Sequence, residues 1–193
     1  ITLAYLQSKD KGSSGITPLP LLGQMKIREC KMTKTPSKLN YIPFESFEIG
    51  QKQNFGAYEV TEDEIIEFAT KYDAQFFHLD HEAAKESLFR GLCASGWHTC
   101  AMTMSMMVEN MDLHGRSLGS PGIDSLRWLR PVYPGDILSV QMEVLDTVPS
   151  KSRPNIGVVT NKVSVSNHKG VVVMEFTSKG IFRRAEGGLG LAG

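Results

Sequence analysis

The chain predicts an α+β fold in which a long antiparallel sheet wraps one buried helix. Three observations predict it. Apolar residues recur at helical spacing before residue 112, strand-like stretches rich in Val and Ile fill the chain after residue 123, and short turn signals join those stretches. At 193 residues the chain is long enough for one domain with its own core and short for two. Apolar residues make up 41% and charged residues 22%, the balance of a globular protein rather than a disordered or fibrous one.

The elements follow in order. Residues 1–40, with "KGSSGITPLPLLGQ" and "KMTKTPSKLN", mix Gly, Ser, Pro and Lys without a sustained period and read as a tail or linker. The chain begins with Ile1 rather than methionine, which marks it as a fragment or a processed product with Met25 or Met32 as a candidate natural start, so part of this segment is expected to be non-native. An ordered arm is the alternative. The domain is expected over residues 41–185. "FESFEIGQKQNFGAYEV" alternates and carries glycines at 50 and 56, giving a first strand or hairpin-like start with turns there. In "TEDEIIEFATKYD", Thr61 and Glu64 form a capping box ahead of Ile65, Ile66, Phe68, Ala69 and Tyr72, which predicts an amphipathic helix ending at Asp73. Asp80 caps a short helix in "DHEAAKESL". "SGWHTCAMTMSMMVENM" is apolar on almost every side and predicts a central helix buried all round, with Met102, Met104, Met106 and Met107 filling the core or lining an acyl tunnel. Turns at "YPGD", "SRPN" and "NHKG" then separate three or four antiparallel strands. Residues 186–193 are expected to be a flexible tail.

Composition excludes several classes of function. Lys plus Arg equals Asp plus Glu at 21 each with no basic block, so the electrostatic signature of a nucleic-acid or acidic-membrane binder is missing. Three cysteines, Cys30, Cys93 and Cys100, form no CxxC pair, which fits reduced thiols in a cytoplasmic protein. No apolar run reaches the ~20 residues that span a bilayer, and no secretory leader is recognisable.

Chemistry concentrates in "YDAQFFHLDHEAAKESLFRGLCASGWHT". Asp73 and His78 flank two phenylalanines, Phe76 and Phe77, and an apolar setting disfavours charge and tunes such groups toward acid/base work. The rival reading is structural: Asp73 closes a turn and His78 is a satisfied core histidine. Gly96 lies in the first turn of the central helix, where free amides and the positive dipole end make an oxyanion site and a glycine admits a ligand to the backbone. The alternative there is a tight helix start capped by Ser95. His78, His81, Cys93, His98 and Cys100 lack metal-ligand spacing, and "CASGW" lacks the first glycine of a nucleophile elbow, so no metal and no nucleophilic serine is expected.

The same run, followed by "LRWLRPVYPGDIL", resembles the MaoC-like (R)-specific enoyl-CoA hydratases and dehydratases, whose motifs read roughly D-x-N-P-x-H-x-D-x-x-x-A, H-G-M and R-P-V-x-x-G-D in that order, including a nodulation-protein-N-like subgroup. The resemblance spans residues 41–184 and implies a hotdog fold. It further implies a homodimer or higher homo-oligomer, an acyl-CoA substrate, and no cofactor. It gives Asp73 and His78 the catalytic roles in adding water to a trans-2-enoyl thioester or removing it. The Gly96 amide becomes the donor to the thioester oxygen, with Gln75, Ser95 and Trp97 on the substrate side of the site. Here Gln75 replaces asparagine, Phe76 proline, Ser95 histidine and Trp97 methionine, and Met104 stands where relatives carry a serine. Trp97 is expected to narrow the acyl pocket toward short or unusual groups. Two other readings share the fold: a non-catalytic acyl-thioester-binding protein and a thioesterase.

Overall fold

A short 3-10 turn, Phe44–Ser46, leads into strand β1 (Lys52–Glu59). The computed structural model describes residues 41–185, apart from the side chains of residues 112–114, so the expected tails over 1–40 and 186–193 lie outside the described residues. Gly56 is a bulge within β1 rather than the expected turn. Pairing with β3 (Ile137–Pro149) slips between Phe55 and Tyr58, and Gly56 sits at φ +82°. A Cβ there would also collide with Met106, so the glycine both takes left-handed backbone and lets the central helix approach.

Helix α1 (Glu62–Tyr72) starts where the capping pattern places it. The Thr61 hydroxyl accepts the Glu64 N–H at 3.3 Å, and Ile65 and Ala69 are fully buried on one face. A single helical turn that the sequence reading missed, α2 (Phe76–Leu79), precedes α3 (His81–Lys85), whose start is held by the Ala83 N–H donating to Asp80 Oδ1 at 2.8 Å. α3 stops short of the expected "ESL", where the Ser87 hydroxyl donates to the Ala84 carbonyl at 2.6 Å and the chain closes into a turn.

Helix α4 (Gly96–His114) is the central helix, but it is not buried all round. Met102 and Met106 are 2% exposed and pack against Val140, Val163, Val165 and Met174 of the sheet, with Met107 partly buried beside them. On the opposite face Trp97, Met104 and Val108 are 59%, 53% and 44% exposed. Of the two readings given for the methionines, core filling therefore fails at Met104. Its spacing from Trp97 and Val108 places it on a second apolar stripe, which the chain's own sheet touches at Trp97 through Trp128 and leaves largely exposed.

Strands β2 (Gly119–Trp128), β3, β4 (Ile156–Ser166) and β5 (Val172–Arg183) follow, making four strands in this half. The sheet is antiparallel throughout with spatial order β1-β3-β4-β5-β2. In β4, Gly157, Val159, Asn161, Val163 and Val165 are all buried while the residues between them are not, the period-two pattern of a sheet with one face on the core. β2 is an edge strand exposed along almost its whole length. Among the described residues, no helix is long and apolar enough to cross a membrane.

Candidate active site

The site forms where the end of α1, the α2 turn, the start of α4 and the segment after β2 converge. The connection before α4 is pinned on both sides: the Cys93 N–H donates to the Phe77 carbonyl at 3.3 Å and the Ala94 N–H to the Val132 carbonyl at 2.8 Å. These bonds bring residues 93–96 against residues 73–78, which are far from them in sequence.

His78 is 5% exposed, with Phe77 edge-on at 4.5 Å between ring centroids and Phe89 beyond it at 6.4 Å. Its Nδ1 lies 2.6 Å from the Cys93 carbonyl oxygen. A carbonyl only accepts, so Nδ1 carries the hydrogen and the neutral ring keeps its lone pair on Nε2. That Nε2 faces Asp73 Oδ2 at 3.6 Å. Both atoms are acceptors at a separation too long for a direct hydrogen bond, an arrangement suited to sharing a donor between them.

Asp73 closes α1, its own N–H donating to the Ala69 carbonyl at 2.9 Å. Its two carboxylate oxygens are held separately: the Ser95 hydroxyl donates to Oδ2 at 2.7 Å and the Gln75 amide to Oδ1 at 2.7 Å. The Ser95 hydrogen bond above all, with Gln75 and the nearby His78 ring adding to it, holds the carboxyl below the usual aspartate range against an opposing push from burial. Asp73 is therefore ionised at neutral pH. Gln75 and Ser95 are thus brought to the Asp73 carboxylate.

Ser95 has a second duty as the N-cap of α4, its hydroxyl oxygen accepting the Trp97 N–H at 3.2 Å. The Gly96 N–H has no acceptor among the described residues. The reason for glycine at 96 is packing: a Cβ there would lie 2.5–2.8 Å from the Trp128 indole, which covers the glycine from β2 and donates its Nε1–H to the Gly96 carbonyl at 2.9 Å. The two tryptophans meet edge-to-face, with ring centroids 5.4 Å apart.

Asp73, Gln75, His78, Ser95, Gly96 and Trp97 all line one cavity of about 590 Å³. Trp128, Phe89 and Arg130 line it too and were not singled out from the sequence. The sequence signals for Trp128 were rarity, the chain having two tryptophans, and its place in the run "LRWLRPVYPGDIL". The Cys93 sulfur lies 3.8 Å from His78 Nδ1, and burial pushes that thiol up to about 11, so it stays protonated. The other weighed side chains go elsewhere. His81 pairs with Glu62 at 2.7 Å, Cys100 meets the Met174 sulfur at 3.6 Å, and His98 stacks on Phe68 at 4.7 Å, its pKa pushed down to about 4 by burial and the His78 ring.

A family profile described as "MaoC like domain" matches residues 44–168, more than half of the chain. The chain belongs to this MaoC-like family. Among curated proteins, the uncharacterized protein YdeM of Bacillus subtilis (strain 168) is 32% identical over 131 residues, covering 68% of this chain and 92% of YdeM. Among solved structures, the MaoC-like dehydratase from Rhodospirillum rubrum is 39% identical with a TM-score of 0.68, covering 74% of this chain and 97% of that one. The unliganded R-hydratase PhaJ1 from Pseudomonas aeruginosa is 26% identical with a TM-score of 0.58, covering 76% and 88% of the two chains. The five-stranded antiparallel sheet packed on α4 is the hotdog fold of these MaoC-like proteins. Membership places the chain among hydratases and dehydratases.

Proposed function

We propose that this MaoC-like protein adds water across the double bond of a trans-2-enoyl thioester, an acyl-CoA in the simplest case, and catalyses the reverse dehydration. The observation that carries this reading is the facing pair, His78 Nε2 and Asp73 Oδ2, 3.6 Å apart on the wall of a cavity that Gly96 also lines. A water between the two acceptors donates to both, which orients its oxygen and raises its electron density toward C3 of the substrate. As the C3–O bond forms, the water's proton passes to the Asp73–His78 pair. The alkene electrons move onto the thioester oxygen as an enolate, which the Gly96 N–H stabilises where charge develops. The pair then returns a proton to C2, and the dehydration runs the same steps backwards. The two side chains share one water, so the pair rather than either member alone serves as the base.

The walls speak to the acyl group. Phe77, Phe89, Trp97 and Trp128 give flat apolar surfaces suited to a planar conjugated acyl chain, and the tryptophan pair limits its length. A homodimer also belongs to this reading. β2 has no strand on its outer edge among the described residues and leaves Ile123 and Trp128 46% and 47% exposed, while the α4 stripe of Trp97, Met104 and Val108 meets it through the tryptophan contact. A second copy covering both surfaces removes an unpaired edge and an apolar patch together.

The test uses crotonyl-CoA. Loss of the conjugated enoyl absorbance with no free thiol is the expected result. Thiol release in step with that loss indicates a thioesterase, and an unchanged spectrum with measurable ligand binding indicates a non-catalytic binding protein; either outcome ends the proposal.

A further inference from the structure

The hydrogen bonds at the start of α4 join into one line. The Trp128 indole Nε1–H donates to the Gly96 carbonyl at 2.9 Å, the peptide carrying that carbonyl presents the Trp97 N–H to Ser95 Oγ at 3.2 Å, and the Ser95 hydroxyl donates to Asp73 Oδ2 at 2.7 Å. Every donor points the same way, toward the carboxylate. Bonds aligned in series polarise one another: a donor on the Gly96 carbonyl makes the Trp97 N–H a stronger donor, which makes the Ser95 O–H a stronger donor in turn.

We propose that Trp128 is a positioning residue for the catalytic carboxylate, acting through the Gly96–Trp97 peptide and the Ser95 hydroxyl to hold Asp73 in place and ionised. The proposal rests on the role given to Asp73 above and adds to it a residue from strand β2. Two further features favour it. The indole lies directly on Gly96, so the first turn of α4 cannot shift without moving the ring. Ser95 is also the strongest of the influences holding the Asp73 carboxyl below its usual range, so whatever strengthens Ser95 acts on the group that matters. Trp128 ends β2, the exposed sheet edge, and Arg127 and Trp128 pair with Glu175 and Met174 on β5. The state of that edge is thereby linked to the acid/base pair. The other titratable groups around Asp73 come from separate elements: His78 from α2, Cys93 from the segment before α4, His98 from α4 itself, and Tyr72 and Arg130 on the cavity wall. None of them belongs to the line of donors.

Kinetics and one spectrum test this. Trp128→Phe keeps a ring over Gly96 and removes the indole donor. The kcat for hydration should fall about three- to tenfold, the scale of one lost hydrogen bond, with KM changed by less than about twofold. In a Ser95→Ala background the same substitution should change kcat by less than about twofold, because the line is already broken. Equal losses in the two backgrounds overturn the proposal, as does a loss carried by KM alone. The readout independent of turnover is the indole N–H resonance. The chain has two tryptophans, so the resonance that survives in Trp97→Phe belongs to Trp128. It should shift at neutral pH when Asp73→Asn removes the charge, and that shift should shrink by more than half with Ser95→Ala present. An indole resonance indifferent to Asp73→Asn overturns the relay even in an active enzyme. An intact shift in a protein that does not hydrate enoyl thioesters supports the relay and ends the functional reading instead.

Discussion

Asp73 receives one donor on each carboxylate oxygen, and the two donors differ in what they fix. Gln75 turns back from two residues along the chain, so it shapes the local loop; Ser95 reaches across from the start of α4, so it ties the carboxylate to the central helix. Because Asp73 lies below its usual range chiefly through Ser95, the ionised form persists to lower pH than in a free aspartate and is lost as pH falls through the lowered value. Ser95→Ala should therefore move the acid limb of the kcat/KM profile to higher pH and lower kcat about tenfold, as a pH–rate series would show. His98 gives a second, separate pH effect. Its folded pKa is about 4 against 6.5 for the free group, so as pH falls from 6.5 toward 4 the unfolded chain takes up a proton that the folded chain refuses, and stability declines across that window. Thermal melts from pH 7 to 4.5 should show a Tm that falls less steeply in His98→Phe than in the parent. Asp73, His78 and Gly96 were singled out in the sequence by the order of motifs that the family resemblance supplies, and the structure gathers all three around one cavity. The work of Ser95 on Asp73 was not, since a hydroxyl at a helix start reads as a cap and its second partner lies 22 residues away.

The start of α4 is where elements meet, and its glycine tests the account of why they meet there. The sequence suggests that Gly96 admits a ligand; the structure places the Trp128 ring over it. Gly96→Ala should destabilise the protein by about 1–3 kcal/mol in urea unfolding, the usual cost of overpacking, and Trp128→Leu should remove most of that cost by vacating the space. The helices and strands themselves were readable from caps and periods. Thr61, Asp80 and Ser95 all accept the amide hydrogen bonds their positions predict, and β4 shows the alternation its sequence spells. The failures share a cause. α2 is a single turn, too short to show a period; Gly56 bulges a strand instead of ending it, and the Met106 side chain that packs against it comes from another element. The exposed face of α4 is apolar like its buried face, so composition could not separate them.

At the scale of the whole molecule, the order of elements was legible, and the second apolar face of α4 beside the open β2 edge is what one chain leaves uncovered. The homodimer reading predicts a two-subunit species in sedimentation at micromolar concentration, shifted toward one subunit by Ile123→Glu, which puts a charge on the edge strand. A parent protein that sediments as a monomer contradicts it. The central claim is narrower: Asp73 and His78 activate water for addition to an enoyl thioester. The most direct test is the rate of crotonyl-CoA hydration by the parent beside Asp73→Asn and His78→Ala, each with unaltered circular dichroism. The account predicts turnover in the parent and a loss of about a hundredfold or more in each variant; substantial hydration by both variants would contradict it.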